Sequence, residues 1–297
     1  QMEILSDIVR PSICVVTMIG VAHIEFMKTQ ENIRDEKLSI VNHMKENGLL
    51  LLNGDDPLLR EIKDDMSCET LTFGIDEVCD FQGSDVQCGE QGMEFDCTHN
   101  DDTVHVVMDV LGKHNVRNAL AGIAVAYQLG IPMATAAKAF EHFEGQRQRI
   151  IRMENRYTIL DDTYNASPDS MKAAIGVLSS LPAGRRIAVL ADMKELGENT
   201  IQFHREVGAF LAEKPVDILV VYGELAQAIA EGAKKVKPDL HIVSFEEDEK
   251  EDMLDWLDAQ IGEGDAVLFK GSNSMKLGET AARFISVEKT PTSSGGE

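Results

Sequence analysis

The sequence is poor in positive charge and in aromatic residues, and each shortage narrows what the protein can do. Lysine and arginine total 28 against 51 aspartates and glutamates, which gives a formal net charge of -23. A surface this acidic repels the phosphates of nucleic acids and anionic lipid headgroups, so we expect neither as a partner. Aromatic residues are only 5% of the chain, so aliphatic side chains must fill most of the core.

The sequence also lacks the patterns of a secreted or membrane-inserted protein. Its five cysteines form no CxxC pair and are odd in number, which argues against a disulfide framework. No apolar run approaches the roughly 20 residues that a membrane-spanning helix needs, and the first residues do not resemble a signal peptide. We therefore expect a cytoplasmic protein without membrane insertion.

The hydrophobic pattern predicts two α/β domains that meet near Gly145. Before that point, buried strands are predicted at 15–19 and 48–53, and alternating stretches between 68 and 110 indicate β-ribbons. After it, strands and helices alternate strictly, which predicts right-handed crossovers and a mostly parallel, doubly wound sheet. The predicted strands of this second part are 158–160, 187–190, 218–221, 241–243 and 266–269. We expect domains at 1–144 and 145–288, followed by a disordered tail at 289–297.

Two polar motifs of the first domain could bind ligands, but each also has a simpler structural interpretation. His23 follows a predicted strand and could bind a metal, although a lone histidine there is more often a loop or core residue. His114 and Asn118 share one helix face beside Asn115, and together they could bind a planar heterocycle. The simpler alternative is that His114 or Asn115 caps the helix, but an asparagine inside a helix, such as Asn118, is unfavourable without a partner.

The second domain carries its polar motifs at predicted strand ends, where ligands of doubly wound sheets bind. The stretch 161–170 (DDTYNASPDS) has more polar groups than a helix cap requires, and Arg147 and Arg149 lie upstream of it. The turn 270–272 could expose N–H groups to a carboxylate or phosphate, although such turns are common. Together the motifs predict a cleft for a nucleotide and an anionic substrate.

Seven motifs, in this order and spacing, resemble the Mur ligase family. They are GVAHIE, DEKLSI, LNGDDP, LGKHNVRNALA, DDTYNASPDSM, LADMKELGE and FKGSNSMKL, and the resemblance runs from about Glu3 to Ile285. It implies an α/β fold in which part of a central P-loop-type ATPase domain precedes a Rossmann-like, doubly wound C-terminal domain. It also implies a peptidoglycan-synthesis ligase that uses ATP and Mg²⁺ to join D-alanyl-D-alanine to UDP-N-acetylmuramoyl-tripeptide through an acyl phosphate.

The resemblance assigns roles to individual residues. His23 matches a magnesium ligand, Lys37 matches a lysine that CO2 converts to a metal-binding carbamate, and Arg147 matches an arginine near the γ-phosphate. The residues that match the nucleotide site are His114, Asn115 and Asn118 beside the adenine and Asp162 beside the ribose and phosphates. The residues that fall on the substrate side are Asn165, Ser167, Lys270, Gly271 and Ser272.

The sequence departs from the family pattern in three ways. It contains no G-x-x-G-K-[ST] phosphate loop and no UDP-sugar domain, and Met18 stands where the family has asparagine. We therefore expect a piece of a longer, monomeric enzyme that is inactive by itself. The alternatives are a non-catalytic nucleotide- or peptide-binding module, or another ligase of the Mur or folylpolyglutamate type.

Overall fold

The computed structural model describes residues 1–22, 24–88, 92–143, 148–153 and 156–286. The chain divides into two compact units, Gln1–Gly145 and Gln146–Glu297, and each unit has a six-stranded sheet. Both sheets are rich in parallel pairs and carry helices, which confirms the predicted α/β class. In these ranges no helix has the length and apolar character needed to cross a bilayer. The tail predicted at 289–297 lies outside the described residues.

The first unit combines a parallel half-sheet with an antiparallel meander. Its strands are β1 (Ile13–Val16), β2 (Leu49–Asn53), β3 (Glu69–Gly74), β4 (Phe81–Cys88), β5 (Met93–His99) and β6 (Asp102–Met108), in this spatial order. Its helices are α1 (Met2–Val9), α2 (Ile24–Met27), α3 (Gln30–Leu38), α4 (Pro57–Ile62), α5 (Lys113–Gln128) and α6 (Met133–Ala139), with 3₁₀ turns at Ser39–Val41, Lys63–Asp65 and Phe140–His142. Strands β1 to β4 are parallel, whereas β4, β5 and β6 pair antiparallel.

Burial explains why the two halves of this sheet have different sequence patterns. All of β2 is buried, as expected for a parallel strand covered on both faces. In β5 only alternate residues Met93, Phe95 and Cys97 are buried, because one face packs on the core. Two sequence expectations are wrong here. The first strand ends at Val16 instead of Ile19, and β3 is a parallel strand between β2 and β4 instead of part of a ribbon.

The second unit is the doubly wound sheet that the alternating pattern predicts. Its strands are β7 (Arg149–Arg152), β8 (Thr158–Asp161), β9 (Arg185–Ala191), β10 (Ile218–Tyr222), β11 (His241–Phe245) and β12 (Asp265–Lys270), in the spatial order β11-β10-β9-β12-β8-β7. Its helices are α7 (Pro168–Ser180), α8 (Thr200–Ala212), α9 (Gln227–Val236), α10 (Lys250–Gln260) and α11 (Leu277–Ile285), with 3₁₀ turns at Gly197–Asn199, Glu247–Glu249 and Asn273–Met275. Only the pairing of β7 with β8 is antiparallel among the described strands of this sheet.

The strand order places a topological switch point between β9 and β12. After β9 the chain passes through α8 to β10, whereas α11 leaves β12 and packs on β8. The two connections therefore diverge at neighbouring strands, which is where doubly wound sheets bind ligands. Apolar residues of α10 and α11, among them Leu257 and Phe284, pack on one face of the sheet.

Helices α8 and α9 pack with their backbones in direct contact, because each contributes a glycine. A Cβ atom at Gly208 of α8 would lie 1.9 Å from the carbonyl oxygen of Ile229. A Cβ atom at Gly232 of α9 would lie 2.0 Å from the carbonyl oxygen of Arg205. Neither position leaves room for a side chain, so the interface tolerates only glycine at both.

We predict that Gly208→Ala lowers the free energy of unfolding by about 2 kcal/mol or more, because the two helices must separate. Gly176→Ala is the matched control, since it is also a mid-helix glycine but has no atom within 4 Å of the added Cβ. The control should raise the free energy of unfolding by about 0.5 kcal/mol, because alanine favours the helix. Urea denaturation measures both, and equal effects would contradict the packing described here.

Candidate active site

Lys37 is the predicted catalytic residue of the first unit that the structure describes. It lies in α3, and its Nζ donates a hydrogen bond to the carbonyl oxygen of Met18, at 2.9 Å. Burial lowers the pKa of the Lys37 ammonium, and the nearby Asp56 carboxylate opposes this shift only in part. A lowered pKa raises the neutral amine fraction, and the neutral amine is the form that reacts with CO2. His23, the predicted metal ligand, lies outside the described residues.

Asp56 connects the end of β1 to the start of α4. Its Oδ2 accepts a hydrogen bond from the Ile19 amide at 2.6 Å, and its Oδ1 accepts from the amides of Leu58 and Leu59. Asp56 is therefore the N-cap of α4, with Pro57 in the first turn. The same carboxylate places a negative charge near Lys37.

Arg117 forms an ion pair with the buried carboxylate of Asp55, which the sequence analysis did not identify. The Asp55 carboxylate, whose side chain is 6% exposed, accepts hydrogen bonds from the amides of Ile75, Asp76 and Glu77. Arg117 Nε donates to the same carboxylate at 2.6 Å, and its guanidinium also donates to Asp76. Burial alone would raise the pKa of Asp55, but Arg117 and the amides together lower it.

This ion pair anchors the helix that carries the predicted adenine motif. Arg117 lies in α5 between Asn115 and Asn118, so its contact with Asp55 joins the start of α5 to the end of β2. The Asn115 side chain donates to the Leu111 carbonyl at 2.8 Å, and Asn118 Nδ2 lies 3.5 Å from Asn115 Oδ1. Helix α5 begins after Gly112 without a side-chain cap, so the capping explanation for His114 and Asn115 is wrong.

In the second unit, Asp162 and Lys270 bind each other. Lys270, at the end of β12, is 1% exposed, and its Nζ lies 2.7 Å from Asp162 Oδ2. The same ammonium donates to the carbonyl oxygen of Asn165 at 2.9 Å. Ser167 forms a capping box with Ser170 at the start of α7. These residues hold the ends of β8 and β12 together and start the next helix.

Gly271 and Ser272 join the end of β12 to the end of β9. A Cβ atom at Gly271 would lie 2.7 Å from the Ala191 Cβ, so the strands approach closely only because residue 271 is glycine. The Ser272 amide donates to the Asp192 carbonyl, and Ser272 Oγ accepts from the Lys194 amide, both at 2.9 Å. The turn that is predicted to lie on the substrate side therefore also holds the ends of β9 and β12 together at the switch point.

A polar cleft of about 410 Å³ lies beside the ends of β8 and β12. Its lining combines carboxylates, cations and hydroxyls, among them Asp161, Asp162, Thr163, Tyr164, Arg149, Lys276 and Glu279. Such a lining can accept hydrogen bonds from ligand hydroxyls and donate them to an anion. Arg147 lies outside the described residues. Among the residues that are described, no three His, Cys, Asp or Glu side chains form a group that could hold a metal.

Comparison with known families assigns both units. Residues 1–126 match the Mur ligase middle domain, and residues 146–273 match the domain described as "Mur ligase, glutamate ligase domain". The chain belongs to the Mur ligase family. Both matches agree with the predicted order of an ATPase-type domain followed by a Rossmann-like domain.

Individual relatives match almost the whole chain. The chain is 38% identical over 294 residues to the UDP-N-acetylmuramoyl-tripeptide–D-alanyl-D-alanine ligase of Bacillus subtilis, covering 96% of this chain and 62% of that protein. The solved structure of MurF from Acinetobacter baumannii superimposes with a TM-score of 0.84 at 28% identity, covering 96% and 61%. The MurF ligase of Thermotoga maritima, solved in complex with ADP, superimposes with a TM-score of 0.82 at 29% identity. This match covers 95% of this chain and 63% of that protein. The chain thus spans about 62% of the length of the Bacillus relative.

We predict that Asp55→Asn lowers the free energy of unfolding at pH 7 by about 2–3 kcal/mol. The asparagine side chain replaces one acceptor oxygen by an NH2 group, which faces backbone N–H groups and the Arg117 guanidinium that are themselves donors. Asp76→Asn should cost less than about 1 kcal/mol, because Asp76 contacts the same arginine but its side chain is 56% exposed. Urea denaturation of the two variants and the unchanged chain measures the difference.

The difference in free energy of unfolding between the unchanged chain and Asp55→Asn should depend on pH. Since the pKa of Asp55 is lower in the folded chain, its stabilisation is present above the unfolded pKa of about 3.9 and is lost as the pH falls through the folded pKa. The gap between the unchanged chain and Asp55→Asn should therefore narrow below about pH 4. A gap that stays constant down to pH 2 would show that the carboxylate charge contributes nothing.

Proposed function

We propose that this chain forms the ATP-binding and acceptor-binding parts of a ligase that joins D-alanyl-D-alanine to UDP-N-acetylmuramoyl-tripeptide. The observation that carries the proposal is the 38% identity with the Bacillus subtilis ligase of this name, extending over 294 residues and both units. In this proposal ATP phosphorylates the peptide carboxylate, and the dipeptide amine displaces phosphate from the acyl phosphate. The product is an amide for peptidoglycan synthesis, made in the cytoplasm.

Lys37 is proposed to work as a carbamate that helps His23 to hold Mg²⁺. Its lowered pKa and its position beside the Met18 carbonyl support this role, because carbamate formation needs the neutral amine. A carbamate presents oxygen atoms, which are the ligands that Mg²⁺ prefers. When bound, Mg²⁺ would neutralise charge on the transferring phosphoryl group.

Nucleotide-binding roles are proposed for individual residues of each unit. His114, Asn115 and Asn118 are assigned to the adenine, and the engagement of Arg117 with Asp55 supports this by fixing the helix that carries them. Asp162 is assigned to the ribose and phosphates, which its place in the cleft with Arg149 supports. Arg147 is assigned to the γ-phosphate.

The substrate side is proposed to be formed by Asn165, Ser167, Lys270, Gly271 and Ser272. The internal contacts of Lys270 and Ser272 indicate that these two act mainly by shaping the backbone at the strand ends. The partners that this function requires are the UDP-N-acetylmuramoyl-tripeptide and D-alanyl-D-alanine, with ATP as the phosphoryl donor.

The product of the complete gene should release ADP only when ATP, Mg²⁺, the tripeptide substrate and D-alanyl-D-alanine are all present. The 297-residue chain alone should show no turnover, because it contains no G-x-x-G-K-[ST] loop to hold the β- and γ-phosphates. A coupled ADP assay with mass spectrometry of the peptide product checks both. ADP release that does not depend on the dipeptide would refute the assigned acceptor.

Lys37→Ala in the complete gene product should lower kcat by about 100-fold or more, because a charged group of the phosphoryl-transfer site is lost. Short carboxylic acids such as acetate should restore part of the activity by replacing the carbamate oxygens. Lys45→Ala, which removes an exposed lysine just beyond α3, is the control and should neither lose activity nor respond to acetate. Failure of every short acid to rescue Lys37→Ala would leave the lysine with a role as an ammonium ion.

A further inference from the structure

His204 is a fully buried histidine whose two ring nitrogens have different partners. It lies in α8 with 0% exposure. The Met193 amide donates to its Nε2 at 3.0 Å, and its Nδ1 lies 2.7 Å from the Thr200 carbonyl oxygen. A carbonyl only accepts and an amide N–H only donates, so the ring carries its proton on Nδ1 and is neutral. Burial, which lowers the pKa of His204, favours the same neutral form.

The histidine holds the first residues of the loop that follows β9. The amides of Met193 and Lys194 are bound by His204 Nε2 and by Ser272 Oγ, respectively. Further along the loop, Glu195 has a φ of 63° and Gly197 a φ of 64°. A non-glycine residue adopts such a left-handed conformation only when its surroundings fix it. The two amide contacts hold residues 193 and 194, directly before this turn.

Asp192 ties this loop to two other strand ends. It is 0% exposed, its Oδ1 accepts from the Ala226 amide, and its carbonyl oxygen accepts from the Ser272 amide. Its Oδ2 lies 2.7 Å from the Lys194 ammonium. A Cβ atom at Gly223 would lie 2.5 Å from Asp192 Oδ1, so β10 also approaches this carboxylate closely. The ends of β9, β10 and β12 are thus one connected unit at the switch point.

We propose that His204 is a positioning residue that holds the loop 193–197 as one wall of the binding site for the acceptor, a short peptide with a free amine and a free carboxylate. The inference rests on the proposed ligase function. The polar cleft with Asp162 and Arg149 lies on the β8 side of the switch point and is assigned to the nucleotide. The loop follows β9, and its Lys194 amide donates at 2.9 Å to Ser272 Oγ, in the turn that is assigned to the substrate side.

The chemistry of the loop fits such a peptide. Lys194 carries a positive charge at this wall, and its side chain is 40% exposed. Its ammonium lies 2.7 Å from Asp192 Oδ2 and 3.5 Å from Glu247 Oε1. Burial opposes the charge on Lys194, but the hydrogen bonds and negative charges of Asp192 and Glu247 together raise the pKa of the ammonium. An ammonium has three N–H donors, so with two directed at these carboxylates the third can donate to the carboxylate of a peptide.

Two variants separate the two nitrogens of His204. His204→Gln keeps an acceptor oxygen at the place of Nε2, whereas His204→Asn keeps a donor at the place of Nδ1 and leaves the Met193 amide without its acceptor. In the complete gene product, His204→Asn should raise the KM for D-alanyl-D-alanine by about 10-fold, the expected effect of one lost buried hydrogen bond. The KM for ATP should change by less than about 2-fold, and His204→Gln should stay near the unchanged enzyme.

Amide hydrogen exchange on the 297-residue chain tests the positioning without any activity. The Met193 amide should exchange about 10-fold faster in His204→Asn than in His204→Gln or the unchanged chain. Equal Met193 exchange in the two variants would overturn the positioning role. If His204→Asn does not fold, the ring nitrogen chemical shifts of His204 in the unchanged chain, measured by NMR, must show the proton on Nδ1, and a proton on Nε2 would overturn the positioning role.

The two kinds of measurement also separate this inference from the proposed function. A rise in the KM for ATP with an unchanged KM for the dipeptide would overturn the acceptor assignment and place the loop at the nucleotide. A complete gene product without ligase activity would overturn the proposed function and the acceptor assignment together, even where the exchange data confirm that His204 holds the loop.

Discussion

The structure of both units depends on buried or largely buried carboxylates at strand ends, whose charge is balanced by neighbouring donors. In the first unit Asp55 receives three backbone amides and the Arg117 guanidinium. In the second unit Asp192 receives a backbone amide and the Lys194 ammonium, and Asp162 receives the Lys270 ammonium. A buried charge without such partners costs several kcal/mol, so each carboxylate stabilises only the one loop arrangement that supplies all of its donors. The loops that follow the strands are ordered by this requirement.

The same requirement limits where an anionic ligand can bind. In a chain of net charge -23, a nucleotide or a peptide carboxylate needs local positive charge. Lys270 and Arg117 are paired with Asp162 and Asp55, so their charge is largely balanced within the fold. Arg149 and Lys276 line the cleft at the ends of β8 and β12, and Lys194 stands half-exposed after β9. Exposed cationic side chains therefore lie on each side of the switch point of the second unit, where Lys194 is also paired with Asp192 and Glu247.

Features that depend on neighbouring residues could be predicted from the sequence. Contacts between residues far apart in the chain could not. The strands of the second unit were predictable because continuous apolar runs such as 218–221 have no other stable place than a sheet covered on both faces. Strand β7 was not predicted, because its four residues begin and end with arginine and show no such run. The pair of Asp55 and Arg117 joins residues 62 positions apart, and its two members resemble an ordinary turn residue and an ordinary helical arginine. His204 likewise has the surroundings of a solvated helix residue in sequence, and only the fold brings the Met193 amide onto its ring.

The motifs that identify the family contain residues that shape the backbone and residues that could contact a ligand. The structure shows which of them shape the backbone. In the turn 270–272, Gly271 is required because the strands β9 and β12 approach within contact of its Cα, and Ser272 accepts from the Lys194 amide. In LADMKELGE, Asp192 is required as the common acceptor for the Ala226 amide, directly before α9, and for the Lys194 ammonium. A motif residue can therefore be indispensable because it shapes a loop, without touching a ligand. Because these structural residues sit at the carboxyl ends of the strands, any ligand bound there is held by a backbone whose geometry they determine.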